Sequence, residues 1–460
     1  MLKAFGPRSI PRLQEITLDW RVLLFALAIS TLCTVFFGLA PAAGLQFEDL
    51  ARPLREGGRG GTGNSKSAKL RGMFLVVQIA LAFVLVVASG LLVRTFIRLL
   101  AVDPGFKAEQ VLTFELSLPS TKYKDGDRIA AFYQRVLESL RAIPGVLHAG
   151  IVETVPMAGA SDGSLIRLPD RPAAPGKDLF ANYNIASPDY FSAVGTPLLR
   201  GRGFLDSDTA SAKPVVIVNA AMAKKFWPGE NPVGKRVGLA DPQSPAMSVV
   251  GVAADVKHLS LREETGPEMY VPYTQKPFPS MLVMHVALRA RMDAALLTGS
   301  AREQIHRLDA DLPVSGVATL SAIVDESLVG QRLSMYLIGA FGVVSLILAC
   351  IGLYGVISYS VLQRTREMGI RMALGADRAR ILALVLGQGA RLTGVGMATG
   401  LVAALAVSHV MANVLFGVPP TDLVTFAIVA PLLAGVALIA CYVPAHRASL
   451  VNPVTALRHD

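Results

Sequence analysis

The residues that come nearest to a catalytic or ligand-binding motif are Gly229–Arg236, GENPVGKR. A phosphate loop reads G-x4-G-K-[ST]: backbone amides cradle the phosphates, the lysine reaches them and the last hydroxyl holds magnesium. This stretch fits at every position but that last one, where Arg236 replaces the hydroxyl, and Pro232 removes an amide donor. It reads as a Gly/Pro-rich turn before a strand. No ATPase motif is therefore expected in this chain, and no cofactor or catalytic residue is assigned. The seven histidines are scattered, without H-E-x-x-H, and there is no G-x-S-x-G. His258, near Asp255 and Lys257, reads as a loop residue, and His409 as a polar contact within a span. Cys33, Cys350 and Cys441 all fall in apolar runs, so the polar part of the chain has no disulfide framework.

The stretch with the most pointed chemistry is Arg364–Arg380, RTREMGIRMALGADRAR, with five arginines against two acids. Uncharged runs flank it, Leu333–Val361 and Leu392–Leu415. A short basic segment between two spans belongs on the cytoplasmic face. Met368, Met372 and Ala376 recur at helical spacing, with Glu367, Arg371 and Arg378 between them, which predicts an amphipathic helix. Its chemistry is docking rather than catalysis. It is either a plain topology anchor or a helix that takes a push from a cytoplasmic partner into the membrane.

Composition sets the elements that must position this helix. The chain has 460 residues, 52% hydrophobic and 17% charged, with a mean hydropathy of +0.48. That excludes an ordinary soluble protein. The net charge of +10 is explained by basic cytoplasmic loops, and with no basic patch interleaved with aromatics, no nucleic-acid partner is expected. Several runs reach the roughly 20 apolar residues needed to cross a bilayer. The fold class is thus a multi-pass helical membrane protein with five spans and a large extracytoplasmic α+β domain. The order is an outer N-terminal segment 1–21, spans at 22–45 and 72–93 joined by a basic Gly-rich inner loop 46–71, and the outer domain 101–330. A third span with a stalk (333–361), the inner coupling helix (362–391), spans at 392–415 and 423–443 and an inner tail (444–460) follow. Only the N-terminal segment, with Lys3, Arg8, Arg12 and Arg21 outside, breaks the charge rule.

A repeat bears on that conflict. Asp19 precedes Pro41-Ala42, and Asp422 precedes Pro444-Ala445, by the same 22 residues; Leu54-Arg55 and Leu457-Arg458 keep the register. Duplication places the chain as the back half of a duplicated transporter plus the last span of its front half. In the fourth span Gly396-x-x-x-Gly400 permits close helix approach, either within one subunit or at a dimer face. In the outer region, strand patterns at Val111–Leu118, Val146–Val152, Asn182–Ala186, Pro214–Asn219, Met247–Ala253 and Leu282–Leu288 alternate with helices at Asp127–Ile143 and Met292–Leu308.

These residues resemble a known family. REMGIRMALGADRARIL is similar to the E-x-G-I-R-x-A-x-G-A segment of MacB/FtsX-type ABC transporter permeases, and PAHRASLVNPVTALRHD to their terminal signature. SPDYFSAVGTPLLRGRGF, VVIVNAAMAKKFWPGENPVGKRV and VVGVAADVKH resemble their periplasmic core domain, and VVQIALAFVLVVASGLLVRTF with VDPGF the fifth span of long duplicated permeases. The resemblance implies a MacB-like periplasmic core domain, an FtsX-like domain at about 333–453, and a bacterial inner-membrane location. It implies a separate cytosolic ABC ATPase as partner, and a homodimer or pairing with a second permease half. An envelope adaptor protein and the lipid bilayer complete the expected partners. The implied function is export by mechanotransmission, in which ATPase closure moves the spans and reshapes the outer domain. Glu367, Gly369, Arg371, Gly375 and Ala376 would carry the coupling contact. The alternative is a membrane-tethered scaffold whose outer domain controls an envelope partner without transport. Set against the duplicated permeases, the chain corresponds to a truncated copy, half of a split pair, or a four-span permease with one added N-terminal span.

Overall fold

The computed structural model describes residues 64–159, 162–171, 178–241, 244–275, 281–374 and 377–450, with residues 20, 21, 23–25, 27, 28 and 31 of a helical stretch near the start. They divide into two compact units. One is Ala101–Val329; the other joins the segment ending at Leu100 to the part from Gly330 onward.

The Ala101–Val329 unit is built on strands β1 (Val111–Ser117), β2 (Val146–Val152), β3 (Asp162–Arg167), β4 (Leu179–Ala186), β5 (Leu198–Gly201), β6 (Val215–Asn219), β7 (Arg236–Leu239), β8 (Met247–Ala253), β9 (Glu268–Pro272), β10 (Val283–Ala290) and β11 (Val314–Thr319). They pair in the order β11-β1-β10-β2-β4-β3-β7-β8-β6-β9, with β5 on β8. The path closes on itself, because β9 also pairs in parallel with β4, Tyr183 opposite Met269 and Ile185 opposite Val271. Alternation explains the sides: Met269 and Val271 enter the main core while Glu268 and Tyr270 point the other way. The antiparallel arm sets Phe114 opposite Val286 and Ile151 opposite Val286.

Against this arm lies the helix of the first expected helical stretch of the unit, Asp127–Ile143. That helix is α2 (Gly126–Arg141); the long helix α1 (Asn64–Leu100) belongs to the other unit. Asp125 caps α2 by accepting from the Arg128 amide at 2.8 Å, a contact worth about 1 kcal/mol. Ile129, Phe132, Val136 and Leu140 form its buried stripe. Helices α3 (Tyr190–Val194), α4 (Ala220–Phe226), α5 (Thr298–Leu308) and α6 (Leu320–Ser327) complete the unit. The helix expected over Met292–Leu308 is broken: Asp293 caps a 3₁₀ turn, Ala294–Leu297, before α5 begins. Five strands, β3, β5, β7, β9 and β11, were not among those expected from the pattern. They are short or partly exposed, so period-2 alternation is weak in them.

The Gly229–Arg236 stretch is the turn that leads into β7. Gly229 and Gly234 both have positive φ, at 77° and 89°. Lys235, the lysine that would reach a phosphate, is tied back to Glu230 at 2.9 Å. His258 lies in a loop, as expected, but it is buried there, with Nε2 2.9 Å from a carboxylate oxygen of the equally buried Glu268.

The second unit contains α1, α7 (Val329–Gln363), α8 (Thr365–Ala373), α9 (Arg378–Val410) and α10 (Leu423–Ser449). Among the described residues, four helices are long and apolar enough to cross a membrane: Lys69–Leu100, Val329–Gln363, Arg378–Asn413 and Leu423–Ser449. The fifth expected span, Val22–Leu45, falls for the most part outside the described residues. At 35 residues, α7 is about 52 Å long at 1.5 Å per residue, well over a hydrocarbon core of about 30 Å. The fourth span was expected to start near Leu392 because Arg391 interrupts the apolar run. The helix that carries this span, α9, begins earlier and runs unbroken through Arg391 from Arg378. One arginine near the end of a membrane helix does not break backbone hydrogen bonding, and its long stem can carry the charge toward the interface.

Candidate functional site

The site of interest is the basic segment between α7 and α9. The expected coupling helix 362–391 is three pieces: the last turn of α7, the separate helix α8, and the first turns of α9. The chain turns out of α7 at Arg364, which is non-helical at φ −105°, ψ 15°. The Thr365 hydroxyl donates back to the Val361 and Leu362 carbonyls at 3.0 and 2.9 Å, satisfying acceptors that a helix end leaves open.

The short helix has two faces. Met368 and Gly369 are buried, and Met368, with Met372 beside it, packs on the core of the membrane unit. Glu367 and Arg371, one turn apart, lie on the exposed face and form an ion pair at 2.5 Å, each side chain about half exposed. Such an exposed pair adds a few tenths of a kcal/mol, so its significance lies in the charges it presents. Three apolar residues stand out around it: Leu362 at 73% exposed, Ile370 at 44% and Leu374 at 83%. Glu367, Ile370, Arg371 and Leu374 follow the i, i+3, i+4, i+7 spacing of one helix face. The resemblance did not assign Ile370 or Leu374; the same spacing would have found them. Gly375 and Ala376 lie outside the described residues.

Gly396 and Gly400 of α9 face α1. A Cβ on Gly396 would stand 2.7 Å from Ile79 Cβ, and one on Gly400 would stand 2.9 Å from Phe83 Cβ and 3.0 Å from Ala80 Cα. Both faces are therefore occupied within this chain. Gly342 of α7 likewise sits near the Leu85 carbonyl and Ser89 of α1. At one end of the unit Arg94 of α1 forms an ion pair with Asp422, which caps α10 through the Thr425 amide at 2.9 Å. At the opposite end Arg71 of α1 lies over the Tyr359 ring of α7, 4.0 Å from its centroid. The starts of α1 and α9 and the last turns of α7 and α10 thus share one end with α8, and the 416–422 loop occupies the other.

Two family models match along the chain. The family described as MacB-like periplasmic core domain matches residues 75–307, and that described as FtsX-like permease C-terminal matches 339–453. The macrolide export ATP-binding/permease protein MacB of Marinobacter nauticus is 27% identical over 296 residues, covering 62% of this chain and 44% of the relative. The pyoverdine export ATP-binding/permease protein PvdT of Pseudomonas aeruginosa is 26% identical over 279 residues, covering 58% and 41%. The chain thus spans about half the length of the curated relatives it matches, or less. A crystal structure of the periplasmic region of MacB from Actinobacillus actinomycetemcomitans aligns over 49% of this chain and 95% of its own length, at 17% identity and a TM-score of 0.32. With one family model matched over about half of the chain, a second over residues 339–453, and four helices of spanning length among the described residues, this membrane protein belongs to the MacB/FtsX family of ABC transporter permeases.

Proposed function

We propose that the chain is the transmembrane subunit of an export system driven by a separate cytosolic ABC ATPase, and that it performs no hydrolysis itself. In this reading α8 and the adjoining ends of α7 and α9 face the cytosol of a bacterium, in its inner membrane. The Ala101–Val329 unit stands on the outer side, where an envelope adaptor could meet it. Closure of the ATPase pushes on α8, and the long helix α7, continuous over 35 residues, carries the displacement outward. The chain works as a homodimer or with a second permease half. Export, rather than import, follows the relatives named for macrolide and pyoverdine export.

The observation that carries the reading is the two-faced geometry of α8. Its buried side, Met368 and Gly369, is seated on the helix bundle, while its outer side presents Glu367, Ile370, Arg371 and Leu374. A helix clamped on one face and open on the other can transmit force; a topology anchor needs only the charges. Gly369, which costs roughly 1 kcal/mol in a helix interior, belongs where the backbone must approach its support closely.

The test is ATPase stimulation with the cognate ATPase co-reconstituted. Arg371→Glu, Leu374→Asp and Gly375→Pro each abolish stimulation, while the outer unit keeps its fold by limited proteolysis. Full stimulation in all three variants removes α8 from the coupling role. An envelope protein bound by the outer unit without any movement of cargo would support the scaffold reading instead.

A further inference from the structure

We infer that the end of the membrane unit that carries α8 binds the headgroups of anionic phospholipids at two arginine–tyrosine pairs flanking α7. The first pair is Arg71 of α1 stacked over Tyr359, 4.0 Å from the ring centroid. The second is Arg447 of α10, whose Nη1 donates to the Tyr354 hydroxyl at 3.4 Å. Both tyrosines are little more than one-third exposed, at 40% and 37%. Five residues apart on one helix, they lie about 140° apart around it and about 7.5 Å apart along it.

Charge is the first argument. Residues 64–100 and 330–450 contain 13 Lys and Arg against three acids, Glu367, Asp377 and Asp422. Glu367 is held by Arg371 and Asp422 by Arg94. Cations therefore outnumber acids in these residues, which favours an anionic ligand. Arginine is suited to that task, since its planar fork binds phosphate oxygens in pairs.

Preorganisation is the second. The Gln363 amide donates to the Tyr359 hydroxyl at 2.6 Å, so the ring under Arg71 is itself held. A guanidinium already stacked loses less freedom on binding an anion than one free in solvent. Tyrosine also suits the boundary between headgroups and hydrocarbon, with its ring in one and its hydroxyl in the other.

The third argument selects a lipid over a soluble anion. From Tyr354 toward the middle of α7, Ile351, Leu348, Ile347 and Val344 are each more than half exposed. A ligand with a phosphate at the arginines and acyl chains along this strip satisfies both, whereas inorganic phosphate satisfies only the first. Basic sites at the ends of spanning helices select anionic headgroups in this manner, with about 1 kcal/mol for each Lys or Arg.

The full chain, purified in detergent and exchanged into equal mixtures of phosphatidylglycerol and phosphatidylcholine, tests this by native mass spectrometry. Phosphatidylglycerol is retained in preference, and Arg71→Gln and Arg447→Gln each reduce the preference roughly fivefold. The double variant abolishes it; Arg98→Gln, at the opposite end of α1, leaves it unchanged. Should the glutamine variants unfold, Arg71→Lys with Arg447→Lys retains a weaker preference. Equal retention of the two lipids overturns the proposal, as does a double variant that keeps the preference. Displacement by millimolar inorganic phosphate also overturns it, since the site would then take free anions. No ATPase is present in the measurement, so its result stands apart from the coupling role of α8.

Discussion

Asp309 shows how single residues set the acid stability of the Ala101–Val329 unit. It is buried, yet accepts from Lys122 Nζ and from the Tyr123 hydroxyl, both at 2.8 Å. Burial alone would push its carboxyl up; these donors, with the Asp311 amide, outweigh burial and hold it below the ordinary carboxylate range. Asp208 is held down in the same way by Arg202 and the Leu205 amide, against the upward push of its burial. A carboxyl depressed in the folded state contributes stability above its unfolded pKa of about 3.9, and that contribution is lost as pH falls through the lower folded value. Urea midpoints of the full chain should therefore fall steeply below about pH 4. Asp309→Asn should flatten this dependence while costing about 1–2 kcal/mol at pH 7. An unchanged pH slope in Asp309→Asn would mean that the carboxylate is not titrating with folding.

At the level of elements, contact between α9 and α1 depends on where the glycines of α9 point. Gly400 approaches Phe83 and the Ala80 backbone, so a side chain there must force the helices apart; Gly394 of the same helix has open space where a Cβ would stand. Overpacking a tight contact costs about 1–3 kcal/mol, whereas alanine for glycine in an open helical position gains up to about 1 kcal/mol. Thermal unfolding in detergent should thus rank Gly394→Ala at or above the parent and Gly400→Leu clearly below it. Equal melting temperatures for the two variants would contradict this packing. The small-residue spacing was visible in the amino-acid sequence; that α1 rather than a second subunit fills it was not, because the spacing has no partner written into it.

For the whole molecule the governing question is sidedness. One end of the membrane unit gathers α8, Arg71 and Arg447, and the other has Arg94 with Asp422. If the basic end is cytosolic, Leu374→Cys is labelled by a membrane-impermeant maleimide only from the inside. Leu296→Cys, in the Ala101–Val329 unit and 70% exposed, is then labelled only from the outside. The measurement is made with Cys33, Cys350 and Cys441 replaced by alanine. Labelling of both positions from one side would end the coupling proposal.

Apolar runs of spanning length, basic stretches between them, period-2 alternation at β1 and strand-forming runs at β2, β4, β6, β8 and β10 were legible residue by residue. Each reports a preference that a segment carries by itself: for hydrocarbon, for a membrane face, or for a half-buried sheet. What tertiary structure alone decided is which surfaces meet. The closure of β9 onto β4, the pairing of Arg94 with Asp422 across 328 residues, and the burial of His258 against Glu268 all join segments whose own patterns are silent about each other. Helical continuity through Arg391 belongs with these, because a charge in an apolar run signals a boundary locally, while the backbone hydrogen bonds of a packed helix carry on past it.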